Sequence, residues 1–469
     1  MAFNSWEFLI FLMTVLLVSA VLRNYHQRAE IWFLVAASAY FYGQWNWGYL
    51  LLIYTTIFVD YLIGIQCFKS NKPERFISFS LMVNLGILGV FKYGNLLLTT
   101  TNEAMSLVGS NYQLNLLNVL LPVGISFYTF QSLSYTIDCY RGTTKPQKNL
   151  VDYALFVSFF PQLVAGPIIR ANSFFRQLNH HRQFTFYMAQ SGVFLIVLGL
   201  VKKIVLADNL AALTNPVFTQ PESYNFSFSI LAIYGFAFQL YYDFSGYTDI
   251  AIGIARLLGF NFPRNFNYPY IALSVREFWQ RWHITLSRWL RDYVYRSLGG
   301  SKKGEKAAMR NIFITLLIGG FWHGASWNMA IWGAINGIAV VIETLNSKYQ
   351  WIRWDLNNPL IRFFKWLLVI HFLSLAVVFF RAPDFQTAQQ IFINLSTWQN
   401  GFSLPSDSYL FGFFILFLPF LHWFSSRLGI NYRCGEMGSF EYVSWLTIFG
   451  VLLFIFGGEY NQDFFYFQF

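Results

Sequence analysis

The residue best placed to do chemistry in this sequence is a histidine inside an apolar run. His323 follows NIFITLLIGGFW (311–322) within the stretch FWHGASWN, residues 321–328. Ionisable side chains at hydrocarbon depth are rare and mark functional positions by default. Gly319, Gly320, Gly324, Ala325 and Ser326 remove bulk around the imidazole, so a substrate or another helix can approach it. Trp322, Trp327 and Trp332 would wall the space, and Asn328 adds a polar group beside it. A neutral imidazole in a partly dry pocket suits general-base work, because its unperturbed pKa already lies near neutrality. The plainer interpretation, a core histidine bonding a neighbouring helix, fits the depth and the glycine-rich surroundings less well. A covalent intermediate through Ser326 stays open, although no base–nucleophile spacing demands it.

A second chemistry-bearing stretch is SVREFWQRWHITLSRWLRDYVY, residues 274–295. Taken as one helix, it puts Trp279, His283, Leu286 and Leu290 on one side, with Trp282, Trp289 and Tyr293 adjoining; Arg281, Arg288 and Asp292 fall elsewhere. That pattern predicts a basic amphipathic helix at a membrane surface. His283 could assist His323, orient a donor molecule or hydrogen-bond in the core. The arginines read first as lipid or topology anchors, and a pyrophosphate-bearing donor would also be welcome there. Upstream, Gln239, Asp243, Ser245 and Asp249 sit in or beside an apolar segment, where carboxylates must pair, bind a ligand or line a cavity. Arg256, Arg281 and Arg288 are the expected partners, and Asn261–Pro269 reads as an ordered loop.

The remaining candidates are weaker. His180 and His181 read as solvated, His371 and His422 as structural, and Arg381 as an interfacial anchor that snorkels to the headgroups. Cys67, Cys139 and Cys434 are far apart and make neither a disulfide framework nor a metal site. There is no GxSxG elbow, P-loop, GxGxxG or HExxH, so hydrolase, NTPase, dinucleotide and zincin chemistry find no support.

The elements that must position these residues follow from composition. The 469 residues are 56% hydrophobic, 21% aromatic and 12% charged, against roughly 25% charged in soluble domains. So much Phe, Trp and Tyr is accommodated by lipid, and the chain reads as an all-α integral membrane protein. The net charge of +10 fits basic cytoplasmic loops against anionic lipid and does not call for nucleic acid. About eleven spans are expected, at 6–22, 31–48, 50–67, 76–98, 117–137, 185–206, 227–257, 327–345, 362–380, 409–425 and 442–458. The first, with Glu7 and no basic n-region, reads as a retained helix rather than a cleaved signal. Loops 23–30, 68–75, 138–150, 258–310, 346–361 and 426–433 carry Lys or Arg, whereas 99–116, 209–226 and 382–408 do not. The alternation places the basic set in the cytoplasm and both termini outside. Residues 152–169, broken by Pro161, Gly166 and Pro167, predict a re-entrant segment. Residues 311–322 predict a half-membrane helix of ~18 Å with His323 at its tip. No separate soluble domain is expected; the chain reads as one domain, 1–469, with a core at about 117–345.

These stretches together resemble the membrane-bound O-acyltransferases, in the bacterial branch that O-acetylates alginate and D-alanylates teichoic acid. The resemblance rests on FPQLVAGPIIR (160–170), QLYYDFSGYTDIAIGIARLLGFNFPRNFNYPY (239–270), REFWQRWHITLSRWLRDYVY (276–295), GFWHGASWN (320–328), VFFRA (378–382) and FYFQF (465–469), and it spans essentially the whole chain. It implies a ring of transmembrane helices around a central cavity, with His323 as the membrane histidine and His283 as the second family histidine. It also implies a thioester co-substrate, most simply acetyl-CoA, with no bound cofactor or metal. A hydroxyl acceptor, an extracytoplasmic acyltransferase or acyl-carrier partner, and the bacterial inner membrane complete the expectation. Trp279, Trp282, Trp322, Ser326, Asn328, Asp243 and Gln239 would contact substrates. The rivals are a multi-pass transporter and a scaffold for polysaccharide export.

Overall fold

Long apolar runs form the helices, and short polar residues set where several of them begin. The computed structural model describes residues 1–179, 184–397, 409–429, 434–457 and 464–465. These are helical, with no strand among the described residues. His180 and His181 lie outside them. Two compact units result, Met1–Val193 with Ala251–Pro263, and Phe194–Ile250 with Arg264–Phe465.

The first unit holds α1 (Trp6–Tyr25), α2 (Gln27–Gly43), α3 (Gly48–Lys69), α4 (Pro73–Leu88), α5 (Gly94–Leu107), α6 (Ile125–Tyr140), α7 (Leu150–Ser158), α8 (Phe160–Leu163) and α9 (Ala171–Asn179). A π-helical turn, Gly89–Tyr93, joins α4 to α5. Its centre is a polar knot. Asp60 of α3 accepts hydrogen bonds from Ser80 (2.7 Å) and Asn84 (2.8 Å) of α4 and from Ser132 (2.5 Å) of α6. Ser132 in turn meets the Tyr153 hydroxyl of α7 at 2.8 Å. Four helices are thus tied through one carboxylate, as buried polar groups require.

The expected span 117–137 is only partly helical, because α6 starts at Ile125. Residues 110–122 run extended, and side chains satisfy their backbone. Asn102 bonds both the N–H (2.8 Å) and the carbonyl (2.9 Å) of Leu114, and Asn95 does the same for Leu117 (2.8 and 3.1 Å). Tyr49 donates to the Leu120 carbonyl at 2.7 Å. Non-helical backbone in such a protein persists only where its polar groups are met. The expected break in 152–169 is present: α7 and α8 meet at an extended Phe159, and the stretch is buried throughout.

The second unit follows from α10 (Phe186–Leu200) through the π-helical turn Val201–Ala207 into α11 (Asp208–Thr219) and α12 (Phe226–Leu257); the unit boundaries fall inside α10 and α12. Then come α13 (Val275–Arg281), α14 (Ile284–Trp289), α15 (Glu305–His323), α16 (Trp327–Tyr349), α17 (Pro359–Arg381), α18 (Phe385–Thr397), α19 (Tyr409–Leu428) and α20 (Ser439–Phe456). The stretches read as loops at 99–116, 209–226 and 382–408 contain part of α5, α11 and α18. Six helices among the described residues are long and apolar enough to cross a membrane: α1, α3, the continuous α4–α5, α16, α17 and α20.

Candidate active site

His323 is the last residue of α15, which is nineteen residues long rather than the half-length helix expected. A three-residue turn, Gly324–Ser326, reverses the chain into α16, where Ser326 caps the helix by accepting from Met329 N–H at 3.2 Å. The Ser326 hydroxyl therefore does a structural job. The two helices pack backbone to backbone. A Cβ on Gly320 would stand 2.4 Å from the Met329 carbonyl, and one on Gly333 2.8 Å from the Leu316 carbonyl. Glycine at both positions permits the approach that fixes His323 against α16.

The imidazole is 2% exposed and framed by rings: Trp322 at 4.9 Å between centroids, Trp332 at 5.2 Å, Phe380 at 5.3 Å and His283 at 6.3 Å. It lines a cavity of about 830 Å³, together with Trp279, Trp332 and Asn336. The same cavity reaches Arg276, Arg288 and Arg291. The Trp279 indole N–H has no acceptor among the described residues, nor does the buried Asn336 Oδ1 have a donor. Both are polar atoms available to a guest. Trp327, expected to wall the space, is instead 55% exposed and packs on Phe321.

His283 does not lie on a continuous helix. The segment read as one helix breaks after Arg281, and His283 takes φ 41°, ψ 54° between α13 and α14. Left-handed backbone costs a non-glycine residue about 1–2 kcal/mol, and Asn265 offsets it. Its carbonyl accepts Ile284 N–H (2.8 Å); its Oδ1 accepts Thr285 N–H (3.1 Å) and the Thr285 hydroxyl (2.9 Å) and lies 3.2 Å from His283 Nδ1. Because the Thr285 amide can only donate, Oδ1 is correctly the oxygen, and His283 Nδ1 must carry the proton. Neutral His283 is thereby held in the tautomer whose Nε2 carries no proton. Glu343 of α16 anchors α13, accepting Val275 N–H (2.7 Å) and Arg276 N–H (2.9 Å) at its positive end.

The other expected contacts separate from this cavity. Trp282 is buried among Phe278, Phe266 and Tyr270. Asn328 donates to the Ala382 carbonyl at 3.1 Å, and Gln239 accepts from Thr214. Asp243 and Asp249 pair with lysines rather than with the arginines expected. Lys203 bridges Asp243 and Asp208, both at 2.8 Å, and Lys202 meets Asp249 at 2.5 Å. A backbone amide, Phe465 N–H, completes the Asp243 shell at 2.9 Å. Arg381 does not snorkel; it donates to Asn215 (3.0 Å) and sits over the rings of Phe218, Phe236 and Phe465. His422 accepts from Tyr270 N–H at 3.3 Å, and His371 meets the Tyr234 hydroxyl. Among the described residues, no group of three His, Cys, Asp or Glu is arranged to hold a metal.

A family description, "membrane-bound O-acyltransferase family", matches residues 147–381, which contain the whole cavity lining. The chain belongs to this family. Among its relatives is the probable alginate O-acetylase AlgI of Pseudomonas aeruginosa, 39% identical over 408 residues, covering 85% of this chain and 76% of the relative. A peptidoglycan O-acetyltransferase of Helicobacter pylori is 36% identical over 391 residues, 77% and 72% of the two chains. A teichoic acid D-alanyltransferase of Bacillus subtilis is 30% identical over 256 residues, half of this chain and 64% of its own length. This membrane-bound O-acyltransferase is therefore an enzyme of acyl transfer.

Proposed function

We propose that the chain moves an acyl group, acetyl in the first instance, from a cytoplasmic thioester to a hydroxyl of an exopolysaccharide or other envelope polymer in the bacterial inner membrane. The observation that carries this is a single cavity with His323 on its wall and three arginines along it. Arg276, Arg288 and Arg291 suit the phosphates of coenzyme A, and the ring-lined end suits the acyl thioester. His323 takes the proton of the attacking hydroxyl as its oxygen bonds to the thioester carbon. The tetrahedral oxyanion is met by the Trp279 N–H, the C–S bond breaks, and the proton passes to the thiolate. Base assistance of this kind contributes roughly 10²–10⁴-fold. His283, with an unprotonated Nε2, positions the acceptor or shares its proton.

Acetyl is favoured over D-alanyl because the O-acetylating relatives align with most of this chain, whereas the D-alanylating one aligns with half. The acceptor end calls for an extracytoplasmic acyltransferase or acyl-carrier partner. The wider reading is about eleven spans in the family ring, with a catalytic core at about 117–345. The test is acyl transfer from labelled acetyl-CoA by purified protein in nanodiscs, wild type against His323→Ala. Turnover lost in a folded variant supports the proposal. Equal behaviour of the two removes His323 from the mechanism, and a proton-gradient effect with no thioester consumed would favour transport.

A further inference from the structure

A second cavity in the same unit, about 940 Å³, contains none of the groups used above. Four guanidiniums line it: Arg264 from the loop before α13, Arg281 at the end of α13, Arg362 near the start of α17 and Arg427 in the last turn of α19. Among the described residues Glu277 is the one carboxylate in the lining, and it is engaged with Arg281 Nε at 2.9 Å. Like charges brought together from separate elements repel, so their convergence in a hollow favours an anion between them. Two of the four are pre-set. Arg281 also donates to the Asn267 carbonyl at 3.1 Å, and Arg427 lies over the Trp423 ring at 5.4 Å.

Part of the lining is apolar and open. Phe363, Phe420 and Trp423 line the same hollow while remaining 52%, 52% and 46% exposed. Phe363 belongs to α17, a membrane-crossing candidate, and exposed rings beside such a helix suit acyl chains better than water. The floor is closed where the Trp366 indole donates to the Tyr270 carbonyl at 2.8 Å. Arginines suit a phosphate and the exposed rings suit aliphatic chains, in a volume of about 940 Å³, far beyond that of a free phosphate ion. We propose that this cavity is a binding site for an anionic glycerophospholipid, its phosphate among the arginines and its acyl chains along Phe363, Phe420 and Trp423. Basic pockets between transmembrane helices on the cytoplasmic side take such headgroups, and Arg264 and Arg427 fall in loops that the charge alternation assigns to that side, with Arg362 at the edge of another.

The full chain in detergent, titrated with phosphatidylglycerol or with phosphatidylcholine of the same acyl chains and read by native mass spectrometry and thermal unfolding, tests this. Phosphatidylglycerol should bind preferentially and raise the unfolding temperature. Arg362→Gln with Arg427→Gln should weaken it by roughly 25-fold, about fivefold per arginine, and leave acetyl-CoA turnover unchanged. The Arg362→Lys, Arg427→Lys variant should keep the preference, which separates lost charge from lost fold. Equal retention of phosphatidylcholine, or undiminished binding in the Gln variant, overturns the proposal. Displacement by millimolar inorganic phosphate would assign the site to a free anion, and displacement by coenzyme A would assign it to the donor; either also overturns it.

Discussion

Two regions bury an ionisable side chain completely, with opposite surroundings. In the first unit, Asp60 is spent: Ser80, Asn84 and Ser132 occupy its oxygens, and the groups around it are packed helix interior. In the second unit, His323 is as deeply buried but stands at a cavity wall, with aromatic rings for a frame and arginines along the same hollow. A carboxylate bonded to two neighbouring helices, and through Ser132 to a third, contributes to holding them together. An imidazole beside empty space has somewhere to send a proton. Burial alone therefore does not single out a catalytic candidate; a cavity beside the buried group does.

Breaking the comparison most severely, His323→Ala should lower kcat by roughly 10²–10⁴-fold while the purified protein keeps its gel-filtration profile and unfolding temperature. Gly333→Val tests the frame rather than the group. Its side chain would strike the Leu316 carbonyl and Gly320, so a loss of about 1–3 kcal/mol in stability should accompany a fall in turnover, read by thermal unfolding beside the activity assay. Asn265→Ala removes the acceptor that sets the His283 tautomer. A kcat loss near tenfold with little change in KM is expected, and Asn265→Asp, which keeps the acceptor, should restore part of it. For Arg288→Ala the signature is reversed, with KM for acetyl-CoA raised several-fold and kcat held, as loss of one charged hydrogen bond implies. The smallest catalytic effect belongs to Asp60→Asn. It should leave turnover per folded molecule unchanged and destabilise the protein by about 1–3 kcal/mol; a large kcat loss there would erase the distinction between the two regions.

Much of this was legible in sequence, and the failures share a cause. The bounds of α16, α17 and α20 follow hydropathy closely, because for those helices apolar length is what lipid selects. Residues 117–122 read as the start of a span, since Leu117, Val119, Leu120 and Leu121 look helical until Asn95 and Tyr49 are known to bond the backbone there. The break at His283 is invisible to periodicity for a similar reason: Asn265, eighteen residues earlier, holds it open. Lys202 and Lys203 were passed over as charge inside an apolar segment, although two adjacent lysines there imply carboxylate partners elsewhere in the interior. The setting of His323 was legible because small residues and a helix end are local features. Trp282 and Asn328 stand off the His323 cavity lining, because proximity along the chain does not define a cavity that only the fold forms.

The Asp243 shell also has a temporal meaning. Its last member, the Phe465 amide, lies 222 residues downstream, and Phe464 covers the Lys203 ammonium at 4.6 Å. While the helices enter the bilayer in order of synthesis, the Lys203–Asp208–Asp243 cluster has to wait with one of its hydrogen bonds unmade. So long a sequence separation makes closure of this contact a late event in assembly. Until then the second unit holds a charged cluster one hydrogen bond short of its final shell.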